Sequence, residues 1–186
     1  DFLVISATPV VVGIIFTAPR IIYVVAGGQF VDAQTIAPVF GIPATSTLVL
    51  QILCIAVGIS FVTHLFGYAI IALGKQTKLI LPNLFLVIFN IILNLILIPK
   101  ISYIGAALVT VITEILVVIL YWWTMHRYLK IKIYLQILRK VIFAGIMLGL
   151  ALYFLEFLSL WILIPLGAIV YIVSLFFVGG LSKEMV

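Results

Sequence analysis

Charge is what this sequence has least of. Only 8% of its 186 residues are charged, and five of these are acidic. An ordinary soluble domain carries about 25% charged residues. Cysteine is nearly absent: Cys54 stands alone in an apolar stretch, which excludes a disulfide or a cysteine metal site within the chain. There is no glycine-rich phosphate loop with its Lys and Ser/Thr, no HExxH and no paired aspartates. Nucleotide hydrolysis by that route, zinc peptidase chemistry and two-carboxylate chemistry are therefore excluded, and no cofactor or metal is called for. An initiating Met is lacking too. The chain opens on Asp1 directly before an apolar run, with no charged n-region or cleavage site, so it reads as part of a longer protein rather than as a signal peptide.

What fills the space is hydrocarbon. Sixty-seven per cent of the residues come from the set AVILMFWYC, and the mean hydropathy is +1.49. A soluble fold of this size has too little interior for so much apolar surface, so a soluble enzyme, a secreted scaffold and a disordered tail are ruled out. The bilayer is the remaining solvent, at about 20 residues per crossing. The formal charge of +5 then reflects basic loops rather than nucleic-acid binding.

Charges and turn residues divide the apolar runs into six expected spans: 2–25, 45–73, 79–98, 104–125, 141–157 and 160–178. The run from Ala33 to Leu73 would be about 60 Å long as one helix, twice the hydrocarbon thickness. It is divided at Gly41-Ile42-Pro43 into a short helix capped by Asp32 and a full span. Likewise Val141–Val178 would reach about 57 Å, so a turn is expected near Ser159. Eight of the ten basic residues then share one side: Lys75, Lys78, Arg127, Lys130, Lys132, Arg139, Lys140 and Lys183. Only Lys100 lies opposite, with Asp32 and Glu156, and Arg20 is inside a span. By the positive-inside bias both ends of the chain are expected in the cytoplasm. Tyr121, Trp122, Trp123 and Tyr128 fall where the fourth span meets that interface. The alternating basic and apolar stretch Tyr128–Lys140 reads either as an interfacial segment beside anionic lipid or as a linker with snorkelling lysines.

Ionisable and amide side chains at membrane depth are the candidates for function, because hydrocarbon makes them costly to keep. Glu114 falls mid-span with Thr110 one turn before it, which suits a cavity carboxylate binding a proton or cation; the bland alternative is a packing residue. Arg20, after Pro19, is placed to attract a phosphate group or to snorkel to the outer headgroups. Pro9 and Pro19 predict kinks in the first span. Asn83, Asn90 and Asn94, spaced seven and four apart, share one face that would line a hydrophilic path or bind helices together. His64 lies within the second span with Tyr68 one turn on, and is the candidate for a proton relay with Glu114 or, as the bland alternative, a packed, hydrogen-bonded residue.

The order of residues in the third and fourth spans carries a resemblance. Asn90-Ile91-Ile92-Leu93-Asn94-Leu95-Ile96-Leu97-Ile98-Pro99, then Ile104-Gly105-Ala106-Ala107, Thr110 and Thr113-Glu114, resembles the "N…LN…LIP…G..GAA..T…E" pattern of Wzx-type bacterial polysaccharide flippases, members of the multidrug/oligosaccharidyl-lipid/polysaccharide exporter superfamily. Ala18-Pro19-Arg20-Ile21-Ile22, with Gly27, Gly28, Phe30 and Ala33, and Gly74-Lys75 after the second span, are similar to further segments of that family. The likeness covers Pro9 to Met125, and the last two helices by topology alone. It implies an all-α integral membrane protein, this chain being a six-helix bundle that forms the C-terminal lobe of a MATE-like two-lobe transporter of about 12–14 helices. A missing N-terminal bundle would complete it. It implies translocation of undecaprenyl-pyrophosphate-linked oligosaccharide, not enzymatic catalysis, at the bacterial inner membrane, with H⁺ or Na⁺ as coupling ion. Arg20 would hold the pyrophosphate, Asn83, Asn90, Asn94, Thr110 and Glu114 would line the path, and Glu114 or His64 would couple to the ion. The competing readings are a multidrug exporter of the same superfamily, a membrane acyl- or glycosyltransferase, and a structural membrane subunit.

Overall fold

In hydrocarbon each backbone N–H and C=O must be satisfied within its own segment, so a chain this apolar is expected to fold into helices. The computed structural model describes residues 2–31, 45–129 and 136–179, and every regular element among them is helical. In chain order they are α1 (Phe2–Ala26), α2 (Ser46–Ala72), α3 (Ile80–Leu129), α4 (Gln136–Phe154) and α5 (Leu160–Phe177), with short 3-10 turns at Gly28–Phe30 and Gln76–Leu79. Among the described residues, Leu3–Ala26, Ser46–Ala72, Gln76–Arg127 and Leu160–Phe177 are long and apolar enough to cross a membrane. The chain is thus membrane-embedded. The expected short helix after Asp32, the Gly41-Ile42-Pro43 break, residues 130–135 of the expected interfacial segment and Lys183 lie outside the described residues.

α3 is not a straight rod. As one 50-residue helix it would be about 75 Å long. Yet the Tyr121 hydroxyl donates to Asn83 Oδ1 at 2.9 Å, although 38 residues separate them. Asn90 Nδ2 donates to Thr113 Oγ1 at 2.9 Å, and a Cβ on Gly105 would lie 2.8 Å from the Leu97 carbonyl oxygen. In these pairs one partner advances as the other recedes, which makes α3 two antiparallel arms folded about Ile101–Ser102. The helical dihedrals break there: Ile101 has φ −134° and Ser102 sits at φ 51°, ψ −138°. Pro99, two residues before the break, removes an N–H from the last turn of the first arm. This is the turn expected after Ile98, and Gly105 lets the arms approach closely enough to form it.

Contacts group the chain into two compact units, Ile22–Lys132 and Asp1–Ile21 with Ile133–Val186. In the first, α2 packs against α3. Thr45 caps α2 by accepting from the Leu48 N–H at 3.2 Å. At its other end Gly74 takes φ 66°, so that the Gly74 N–H reaches the Ile71 carbonyl (2.9 Å) and the Lys75 N–H reaches that of Ile70 (3.0 Å). A side chain bearing Cβ resists that conformation, and the bond pair closes the helix so that the chain can re-enter as α3. Phe66, Ile70, Leu79 and Met125 form the buried contact at this end. Lys75, Lys78 and Arg127 gather there, and Lys100 is at the opposite end.

In the second unit α4 and α5 are antiparallel, with Val141, Ala144, Leu148, Leu152, Leu163, Tyr171 and Leu175 as their core. α1 runs parallel to α4: Thr8 and Val12 lie over Gly145, and Phe16 over Gly149. Gly145 and Gly149 form a small-xxx-small step, which lets two helices approach closely in lipid. Pro9 has no N–H for the Ile5 carbonyl, and the buried Tyr171 hydroxyl of α5 donates to that oxygen instead at 2.8 Å. Lys140 Nζ donates to the Gly179 carbonyl at 2.6 Å and so closes the end of α5 beside the start of α4. Residues 141–154 of α4 span only about 21 Å, short of the 30 Å hydrocarbon core.

Candidate functional site

The polar side chains of the first unit meet along the α3 arms and α2. Asn90, half-buried on the first arm, donates to Thr113 of the second. One turn further on, Asn94 Nδ2 donates to both the carbonyl and the Oδ1 of Asn90 at 3.0 Å. Next to Thr113, half-buried Glu114 turns toward α2, where the buried Thr63 hydroxyl donates to its Oε2 at 3.3 Å. The second arm therefore carries adjacent polar residues facing two different helices, as the 100° step of a helix requires. A groove of about 320 Å³ opens beside the amides, lined by Asn90, Ile91, Asn94, Leu95, Ile98 and Pro99.

The sequence candidates separate in this geometry. Asn90, Asn94 and Glu114 lie in one network or beside it. Asn83 is exposed two turns away, held by Tyr121. Thr110 is exposed and donates back to the Ala106 carbonyl of its own helix at 2.9 Å, the usual way for a hydroxyl to be satisfied in lipid. His64 is exposed with its ring centroid 6.1 Å from that of Tyr68. The α2 residue that reaches Glu114 is its neighbour Thr63. Arg20 belongs to the other compact unit and faces the α4–α5 turn. Its Nη1 donates to the Leu158 carbonyl at 2.8 Å, its Nη2 donates to the Glu156 carbonyl, and the Glu156 carboxylate lies 3.8 Å from Nη2. The guanidinium thus satisfies backbone carbonyls of the turn between α4 and α5.

Chemically, the amide and hydroxyl groups can both donate and accept hydrogen bonds, which suits polyhydroxylated ligands, and the network carries one carboxylate. Among the described residues no three His, Cys, Asp or Glu side chains converge. Sequence reasoning passed over Thr63, whose mid-span position was the available signal, and the Gly145-xxx-Gly149 step, which is readable as a pattern. At the basic end of α3, Trp122 stacks on His126 at 5.6 Å and the Arg127 guanidinium lies 5.2 Å above the Trp123 ring. Amphipathic rings and a cation in this arrangement are at home at headgroup depth. Compared with known protein families, curated proteins and solved structures, the chain matches none.

Proposed function

We propose that this chain is the six-helix C-terminal lobe of a two-lobe transporter, and that the whole protein flips undecaprenyl-pyrophosphate-linked oligosaccharide across the bacterial inner membrane. Counting the two arms of α3 separately gives five long apolar helices, and the proposed lobe takes the shorter α4 as its sixth. The observation that carries the reading is the amide pair Asn90 and Asn94 beside a groove of about 320 Å³, on the stretch that bears the flippase resemblance. A sugar headgroup cannot cross hydrocarbon bare, because each hydroxyl that loses water without a new partner costs several kcal/mol. Amides that both donate and accept can take the place of that water. Glu114, hydrogen-bonded to Thr63 between α2 and α3, is the group that a proton or Na⁺ would neutralise. Coupling then requires that the two lobes rock between states that differ in affinity for that ion. The bias of eight basic residues to one side supports a cytoplasmic position for both ends of the chain.

A second reading, export of organic cations, is favoured by one observation. Arg20 is held at carbonyl oxygens, so the first helix offers no cation to a pyrophosphate, whereas Glu114 offers a carboxylate. Complementation separates the two. In a strain lacking its own flippase, the intact protein should restore surface polysaccharide, and Asn90→Leu with Asn94→Leu should reduce it at least tenfold at equal membrane abundance. Restoration of drug efflux without polysaccharide would establish the second reading. Unchanged polysaccharide in the double variant would remove the amides from the path.

A further inference from the structure

A groove of about 600 Å³ runs between α1 and α4, lined among others by Val12, Phe16, Ile142, Ile146, Gly149 and Tyr153. Its length and ends are informative. From Ile142 to Tyr153 is about 17 Å, close to half the hydrocarbon core and therefore to one leaflet. The α4 wall rises in steps of three and four residues from Ile142 through Ile146 and Leu150 to Tyr153, and one turn before Ile142 the same stripe begins with exposed Arg139. The neighbouring cation, Lys140, is held by the Gly179 carbonyl, and Arg139 is the basic residue of α4 that continues the groove's stripe. Arginine at a helix end extends toward the interface, where its planar fork matches a phosphate.

We propose that this groove is a binding site for one bilayer phospholipid of anionic headgroup, with an acyl chain along α1 and α4 and its phosphate at Arg139. The inference stands apart from the flippase reading, since it concerns a resident lipid in the other compact unit. A partner's transmembrane helix fits less well: it would need contact over about 30 Å, and the small-residue step that favours helix crossing is already filled. Added Cβ atoms on Gly145 and Gly149 would lie 2.9 Å from Thr8 Cγ2 and 3.1 Å from Phe16 Cε2. A slender, flexible chain needs neither.

Native mass spectrometry of the intact protein in detergent, titrated with phosphatidylglycerol and with phosphatidylcholine, tests the assignment. The wild type should retain one phospholipid and prefer phosphatidylglycerol. Arg139→Gln should cut that preference about fivefold, lowering retention of phosphatidylglycerol more than that of phosphatidylcholine, whose phosphate is offset by its own choline cation. Ile146→Trp, which fills the groove, should lower retention of both. Equal retention of the two lipids by the wild type, or an unchanged preference in Arg139→Gln, would overturn the headgroup assignment; neither depends on how Ile146→Trp folds. A bound polyprenyl phosphate in place of a diacyl lipid, or disulfide capture of a second copy through Ile146→Cys, would overturn the choice of occupant.

Discussion

Replacing Tyr171 by Phe removes one oxygen from the centre of the α1–α5 contact and nothing else. That oxygen lies 2.8 Å from the Ile5 carbonyl, and the tyrosine is 3% exposed. Interhelical hydrogen bonds in membranes average about 0.6 kcal/mol and reach about 1.7 kcal/mol, because a lost partner is usually replaced. Here replacement within the helix is blocked: the residue four positions on is Pro9, which has no N–H. The cost should therefore fall near the top of that range, about 1.5 kcal/mol, or roughly tenfold in the unfolding equilibrium. The causal step can be isolated. In a Pro9→Ala background the backbone regains an N–H for the Ile5 carbonyl, and Tyr171→Phe should then cost about 0.5 kcal/mol, a coupling of about 1 kcal/mol between two residues on different helices. Reversible unfolding of the intact protein in mixed SDS micelles, followed by helical circular dichroism on the four members of the cycle, measures it. An equal penalty in both backgrounds would refute the account of Tyr171 as the partner of a proline-orphaned carbonyl.

Two further predictions use the same unfolding measurement. Gly105→Ala should destabilise by about 1–3 kcal/mol, because its Cβ would meet the Leu97 carbonyl, which is backbone and cannot swing aside; Gly13→Ala, with nothing within 4 Å, should stabilise by about 0.5–1 kcal/mol through helix propensity. Arg20→Met should cost about 1 kcal/mol by freeing the Leu158 and Glu156 carbonyls at a half-wet site, while Glu156→Gln, whose carboxylate is 74% exposed, should stay within about 0.5 kcal/mol. The opposite order would make the ion pair, not the carbonyls, the reason for Arg20.

Much of the fold is legible in the residue order because membrane helices are specified locally. The expected span 45–73 meets α2 at Ser46–Ala72, 160–178 meets α5 at Leu160–Phe177, and the turn between 98 and 104 falls at Ile101–Ser102. α4 begins at Gln136, earlier than the expected Val141, since Arg139 and Lys140 sit on its first turns rather than in the loop before it. Charged residues end an apolar run without ending a helix.

The candidate site was less legible. In a soluble helix one apolar face marks the inside, but here nearly all faces are apolar, so periodicity does not say which way Glu114 or His64 points. Residue order was enough for the solvent, the apolar runs, the punctuation at Gly74 and Pro99, the bias of charge to one side, and the shared face of three asparagines. It took the packed helices to establish that Thr63 rather than His64 meets Glu114, that Asn90 pairs with Thr113 across the α3 turn, that Arg20 closes the α4–α5 turn, and that Tyr171 satisfies Ile5. Each of those is a contact between segments distant in the chain. It depends on the register and rotation of one helix against another, which close approach at Gly105, Gly145 and Gly149 sets and which no local pattern of residues encodes.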